Sequence, residues 1–259
     1  MKRKTKIILK IVFIILIAVI LFFINCFEGN IISKFLADRS AKTYIEENYP
    51  GMEFSESSYS VKTGKYHVLI KSPISIDTHF GISISLMGEI YSDSYEEKVL
   101  SKWNTYNRID REYANIVGTI FDSDDFIYES DMSFGWLTLK EKDIEELEID
   151  KIYDMKELGR MSGNIVLEIE DEEINAKRAS EILLSIKDMF DKQDVLFYTI
   201  DFSLEEPKME EEKDFYDIEK FSVNEFLYSD IYEKGLIERL GKAAKDLEEY
   251  YKMGDSKKD

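Results

Sequence analysis

The sequence predicts an α+β protein: an N-terminal transmembrane helix followed by two small units, each an antiparallel or mixed sheet packed against long helices. Three patterns carry that expectation. An apolar run fills Ile11 to Ile24 without a polar interruption. Two segments, KYHVLIKS and HFGISISLM, alternate apolar and polar residues with the period of strands. Two longer stretches, 94–120 and 174–191, repeat apolar residues at helical spacing.

The run comes first. Extended back to Ile7 past Lys10 and on to Phe27 it covers 21 positions, against the roughly 20 that a helix needs to cross a bilayer. Lys10 can carry its ammonium back to the headgroups. Lys2, Arg3, Lys4 and Lys6 precede the run and no acid does, which predicts a cytoplasmic N-terminus, a single pass through the cell membrane and an extracytoplasmic bulk. Phe22, Phe23, Ile24 and Asn25 stand where a signal peptidase wants small residues. Retention as an uncleaved, lipid-contacting anchor is therefore preferred to lipidation at Cys26 or to cleavage. Cys26 is the sole cysteine, so no intramolecular disulfide forms and the fold stands on its core.

After the anchor, Ile32, Phe35, Leu36, Tyr44 and Ile45 recur at helical spacing between Asn30 and Tyr49, and Pro50-Gly51 ends that helix. The two alternating segments place Tyr66, Val68 and Ile70, then Phe80, Ile82, Ile84 and Leu86, on one face of a meander. Ser94 and Glu97 have the spacing of a capping box. Beyond them Val99, Trp103, Tyr106, Tyr113, Val117 and Ile120 line one side of a long helix, expected to cover the meander. A second unit follows the acidic stretch 140–150: strand 163–170, helix 174–191 with Ala179, Ile182, Leu183, Ile186, Met189 and Phe190 on one face, strand 195–204, an acidic loop, strand 217–226, and a closing helix from Asp230 to about Lys252. On sequence the chain thus divides into 1-27, the basic tip and anchor; 28-139, helix, meander and long helix; and 140-259, a second α+β unit with an acidic loop and a C-terminal helix.

The stretch EGNIISKFLADRSAKTYIEENYPGMEFSESSYSVKTGKYHVLIKSPISIDTHFGI, directly after the apolar run, resembles the opening of the YfjL-like proteins, small membrane-anchored proteins of Gram-positive bacteria. The resemblance rests on the order of parts: anchor, the Gly29-Asn30 pair, an amphipathic helix ending in YIEENYPG, then a hairpin. Where such proteins often carry a proline shortly after the Gly-Asn pair, this chain has Ile31 and Ile32. The family has no assigned activity, so the resemblance implies an anchor and a fold and supplies no catalytic residue.

Charge narrows the partners. Beyond Phe27 the chain holds 29 Lys and Arg against 53 acids, a net charge of −24. A surface that acidic repels nucleic acid and anionic headgroups, so no nucleic-acid partner is expected. Attraction to cations or basic peptides is the functional counterpart; a merely solvated acidic surface is the simpler reading.

Little in the chain points to catalysis. His67 and His79 are its two histidines; both fall on the polar side of their strands, about 17 Å apart along the ladder at 3.4 Å per residue, too far to share a metal. No glycine-flanked serine or phosphate-binding glycine loop occurs. Asp122 and Asp124 open a calcium-loop pattern, but Ile127 takes the place of the required glycine and Ser133 that of the closing acid. Asp122, Asp124, Asp125 and Asp131 remain as a looser acidic cluster, and whether any metal binds is left open. Phe134, Trp136 and Leu137 beside Gly135 read as core or interface packing in preference to a ligand-facing patch. No catalytic or cofactor-binding residue and no cofactor is assigned. Two expectations follow: a membrane-anchored extracytoplasmic binding, sensing or interaction module, with a protein or peptide partner outside the cell, or an extracytoplasmic enzyme whose carboxylate or metal site is not visible in sequence.

Overall fold

The computed structural model describes residues 10–17, 29–207 and 220–255. It is α+β with two sheets. The chain forms two units, one of Met1–Thr105 with Ile144–Asp150 and the other of Tyr106–Asp143 with Lys151–Asp259.

The transmembrane expectation is corrected here. Among the described residues no helix is long and apolar enough to cross a membrane. Of the run expected to span, the structure describes 10–17 as a helix, α1. The single-pass topology and the extracytoplasmic location rested on that span and fall with it. The rest of the run, Cys26 included, lies outside the described residues.

In the first unit, α2 (Ile31–Asn48) starts where Asn30 accepts a hydrogen bond from the Ser33 amide at 2.8 Å, as N-caps do. Gly29 precedes it at φ +74°. A Cβ there would stand 2.3 Å from the Tyr66 hydroxyl, which donates to the Asn30 carbonyl at 3.1 Å. The buried face of α2 is Ser33, Ala37, Ala41 and Ile45, one residue per turn. Small side chains there let the helix approach the sheet closely, while the bulky Ile31, Ile32 and Phe35 are 63–89% exposed.

That sheet comprises β1 (Glu53–Phe54), β2 (Ser58–Ser60), β3 (Lys65–Lys71), β4 (His79–Ile84) and β5 (Ile90–Asp93), antiparallel throughout. The register sets Tyr66 against Ile84, Val68 against Ile82 and Ile70 against Phe80. These six side chains are at most 2% exposed and pack with Ala37, Ala41, Ile45 and Val99. Tyr44 and Tyr49 of the helix end both donate to Asp93 Oδ2, at 2.8 and 2.7 Å.

The helix expected from Ser94 begins later and packs elsewhere. Ser94 binds across the sheet instead of capping, accepting from the Gly81 amide at 3.0 Å and donating to its carbonyl at 2.9 Å. A π-helical turn, Glu96–Leu100, buries Val99. Lys102 then takes a left-handed φ of 64°, and α3 runs Trp103–Phe121. The face expected to cover the meander belongs, from Tyr106 on, to the second unit; the cover of the meander is α2.

Residues 144–150 return to the first unit and close it through a reciprocal clasp. Asp77, 1% exposed, accepts from the Asp150 amide at 2.8 Å. Asp150 accepts from the Asp77 amide and the Ser75 hydroxyl, each at 3.0 Å.

The second unit holds most of α3, then β6 (Ser130–Leu137), the start of the short α4 (Glu141–Glu145), α5 (Met155–Ser162), β7 (Gly163–Glu170), α6 (Ala176–Lys192), β8 (Thr199–Glu205), β9 (Lys220–Leu227) and α7 (Leu236–Asp255). The sheet order is β6-β7-β8-β9. Only β7 and β8 run parallel, joined by the α6 crossover. The acidic loop expected before the last strand lies, from 208 to 219, outside the described residues.

Strand alternation sends Ile165, Leu167 and Ile169 of β7 with Ile200, Phe202 and Leu204 of β8 into the core. Helix α3 buries Ile109, Tyr113, Val117, Ile120 and Phe121 in this core, and α6 buries Ile182, Leu183, Ile186 and Phe190. Phe121 and Phe190 meet edge to face at 5.7 Å. Gly135 is required where α3 meets β6: a Cβ would lie 2.9 Å from Ile165 and 3.0 Å from Val117.

Candidate functional site

The same alternation leaves the opposite face of this sheet to polar residues. Asn164, Val166, Glu168 and Glu170 of β7 stand beside Thr199, Asp201, Ser203 and Glu205 of β8 in the parallel register. Ser222 and Lys220 of β9 continue the rows from Ser203 and Glu205. On the other flank, Phe134 of β6 pairs with Val166 and Trp136 with Asn164.

The C-terminal helix turns part of this face into a groove. Leu236 and Leu240 of α7 are buried, at 1% and 0% exposure, whereas Gly241, Ala244, Lys245, Leu247, Glu248 and Tyr251 form a wall over the face. The space between encloses about 660 Å³ and is floored by Val166, Glu168, Asp201, Ser203 and Ser222, within the range of about 300–1,000 Å³ typical of ligand clefts. Helix and floor stand apart at Gly241, where a Cβ would meet nothing within 4 Å.

Each end of the face is fastened by polar contacts. At one end Trp136 Nε1 and Asn164 Nδ2 donate to Thr138 Oγ1 at 3.0 and 2.8 Å, and Thr199 Oγ1 donates to Asn164 Oδ1 at 2.7 Å. At the other Lys220 pairs with Glu205 and lies 3.9 Å from Glu168. Between them Asp201 accepts from the Glu225 amide at 2.6 Å. Glu225 adopts a left-handed φ of 48° beside an irregularity in the β8–β9 register, and such bulges re-aim side chains. The Ser222 hydroxyl is buried and finds no hydrogen-bond partner among the described residues. On the wall, a hydrogen bond from Lys252 holds the Glu248 carboxyl below its usual value.

The groove offers hydrogen bonds, fixed charge and apolar contact. Its lining has serines but neither imidazole nor thiol, so no residue there could activate a hydroxyl in the manner of a Ser-His pair.

The other candidates fall apart. His67 faces Ser83 and His79 faces Lys71 in the β3–β4 register. The first contacts Thr63 Oγ1 at 2.9 Å and Ser83 Oγ at 3.1 Å, the second the Ile76 carbonyl at 3.1 Å. Among the described residues no group of three or more His, Cys, Asp or Glu could hold a metal ion; Asp122, Asp124, Asp125 and Asp131 form no such group. The aromatic set separates by side of the strand. Leu137 is fully buried, as expected of core, but Phe134 is 45% exposed on the groove side, its ring 5.5 Å from that of Trp136. Sequence reading missed Asp201, Ser222 and the α7 wall, because their convergence depends on tertiary packing. The available signal was the pairing of outward rows in two strands with Gly241 and Ala244 on one helix side.

Residues 4–94 match the family model described as YfjL-like, N-terminal domain, and residues 112–241 match the one described as YfjL-like C-terminal domain. No curated protein and no solved structure matches the chain.

Proposed function

The chain belongs to the YfjL-like family, and on that premise we propose that it is a binding or interaction module whose ligand site is the groove between the second sheet and α7. The observation that carries this reading is the groove itself. Helix α7 is anchored at Leu236 and Leu240 and then spans the sheet face with a cleft of about 660 Å³ beneath it. A helix with an apolar stripe normally closes onto its sheet. Here Gly241 and Ala244 keep that stripe shallow, and Val166, Leu247 and Tyr251 give the cleft an apolar lining around hydrogen-bonding groups. Apolar walls with a few placed polar groups are what orients a bound ligand.

The test is to fill the cleft. Gly241→Trp adds a bulky side chain to the lining of the cleft, at a position where a Cβ meets nothing within 4 Å, and exchanges a helical glycine for a better helix former, so the fold is expected to persist. Unbiased short peptides selected by display on the full chain are expected to include binders that lose at least tenfold in affinity on Gly241→Trp. Binders that are all indifferent to the substitution would place the binding surface elsewhere.

A further inference from the structure

From the charges and dimensions of the groove we infer that its occupant is a short, extended peptide segment bearing lysine or arginine, an inference that rests on the binding role proposed above. The charge argument turns on Asp201. The two lysines that line the groove are already matched by carboxylates, Lys220 by Glu205 and Lys245 by Glu249 at 3.8 Å, and Lys252 next to Tyr251 is matched by Glu248. Asp201, on the floor, has the Glu225 amide as its donor and no cationic partner among the described residues. An incoming ammonium or guanidinium supplies the missing charge. The same sheet end continues into Glu170, Asp171, Glu172 and Glu173, of which Asp171 is paired with Arg178 at 2.8 Å, and a chain of net charge −19 attracts cations over a Debye length.

Shape selects a peptide over a free small amine. The wall from Gly241 to Tyr251 extends about 15 Å at about 1.5 Å per residue, the length of about four or five residues of extended chain at about 3.3 Å each. Beyond Val166 the floor passes directly to Phe134, its cross-strand neighbour, and to Trp136. Two partly stacked rings beside a carboxylate floor accept a second cationic side chain through their faces, or an apolar one through their area.

The probes are three blocked pentapeptides of alternating lysine and leucine, serine and leucine, or glutamate and leucine, titrated into the full chain at low and high salt. The lysine peptide is expected to bind, to weaken at least fivefold on Asp201→Asn and on raising salt, and to weaken at least tenfold on Gly241→Trp; the glutamate peptide is expected not to bind. Asp201→Asn removes the charge while its amide oxygen can still accept from the Glu225 amide; Glu248→Gln on the exposed wall serves as a second charge variant, expected to lower affinity about twofold or more. Equal binding of the serine and lysine peptides, with both lost on Gly241→Trp, would keep the groove and overturn the cationic class. Lysine-peptide binding unchanged by Gly241→Trp would overturn the groove as well, exposing plain adsorption to an acidic surface. Self-association of the chain that is abolished by Gly241→Trp, with no peptide bound, would make a second copy the occupant and overturn the inference.

Discussion

Tyr113 donates its hydroxyl to the carbonyl of Leu196 at 3.0 Å from a position with no solvent exposure. Two glycines make room for it. A Cβ on Gly163 would lie 2.4 Å from that hydroxyl; one on Gly159 would lie 2.1 Å from the Leu196 oxygen and 2.7 Å from the ring. One side chain of α3 thus ties together the end of α5, the start of β7 and the approach to β8, and the polar tip it brings into the core is satisfied there.

Tyr113→Phe strips the partly buried Leu196 carbonyl of this donor and is expected to cost about 1 to 3 kcal/mol in chemical unfolding of the full chain. Gly159→Ala drives a methyl against backbone that cannot turn aside and is expected to reach the upper end of the overpacking range, about 3 kcal/mol. A neutral Gly159→Ala would show that the close approach of α5 to Leu196 is wrong.

Alkaline pH should weaken the protein in a defined direction. Burial raises the phenols of Tyr113, Tyr49 and Tyr228, with the Asp93 carboxylate adding to the effect at Tyr49 and the Asp191 carboxylate at Tyr228. The native state therefore holds these protons more tightly than the unfolded chain does. Their contribution is complete below the ordinary tyrosine value of about 10 and declines as pH rises above it. Spectrophotometric titration is expected to show exposed tyrosines ionising first and a later group ionising together with loss of the folded signal. Simple titration of all tyrosines near pH 10 with the fold intact would contradict the burial.

The Gly29–Tyr66 approach predicts a coupling. Gly29→Ala meets both a left-handed backbone and the Tyr66 hydroxyl 2.3 Å away, and is expected to cost about 2 kcal/mol or more. In a Tyr66→Phe background that hydroxyl is gone, so the double variant should be more stable than the sum of the single losses implies. Strict additivity would mean that the two residues do not touch.

Trp103 and Tyr113 lie on the same helix with different burial, and truncation should rank them accordingly. Trp103 is 40% exposed, with the Lys98 ammonium 5.7 Å from its ring. Trp103→Ala is expected to cost about 1 to 2 kcal/mol. Tyr113→Ala is expected to cost about 3 to 5 kcal/mol, as large core truncations do. The reverse order in unfolding measurements would return the first turn of α3 to the core.

Where bulk and burial coincide, the fold is legible in the sequence: Tyr66, Val68 and Ile70 on β3, Ile165, Leu167 and Ile169 on β7, and the buried stripe of α6 follow from periodicity alone. Two elements invert that relation. On α2 the bulky Ile32 and Phe35 face out, and the packing side is Ser33, Ala37 and Ala41. On β6 the bulky Met132 and Phe134 are the exposed side, while Gly135 gives way to Val117. Close approach of two elements demands small residues, and a reading weighted toward large side chains assigns such surfaces backwards. That is why β6 goes unseen and why α3 is expected over the wrong sheet. The groove was hidden for a different reason: parallel pairing of β7 and β8 brings Glu168 beside Ser203, residues separated by a whole crossover helix, and no local pattern encodes that register.

The Asp77–Asp150 clasp bears on the order in which the protein is made. Synthesis proceeds from the N-terminus, so Asp77 emerges long before the partner that receives its amide. By the time Asp150 leaves the ribosome, α3 and β6, which belong to the other unit, have already been translated. The two units are therefore interleaved in time: the first waits, with the carboxylate of Asp77 lacking the amide it finally accepts, while parts of the second accumulate. No single cleavage separates them, and a fragment stopping at Phe121 would carry the meander without the segment that locks its loop.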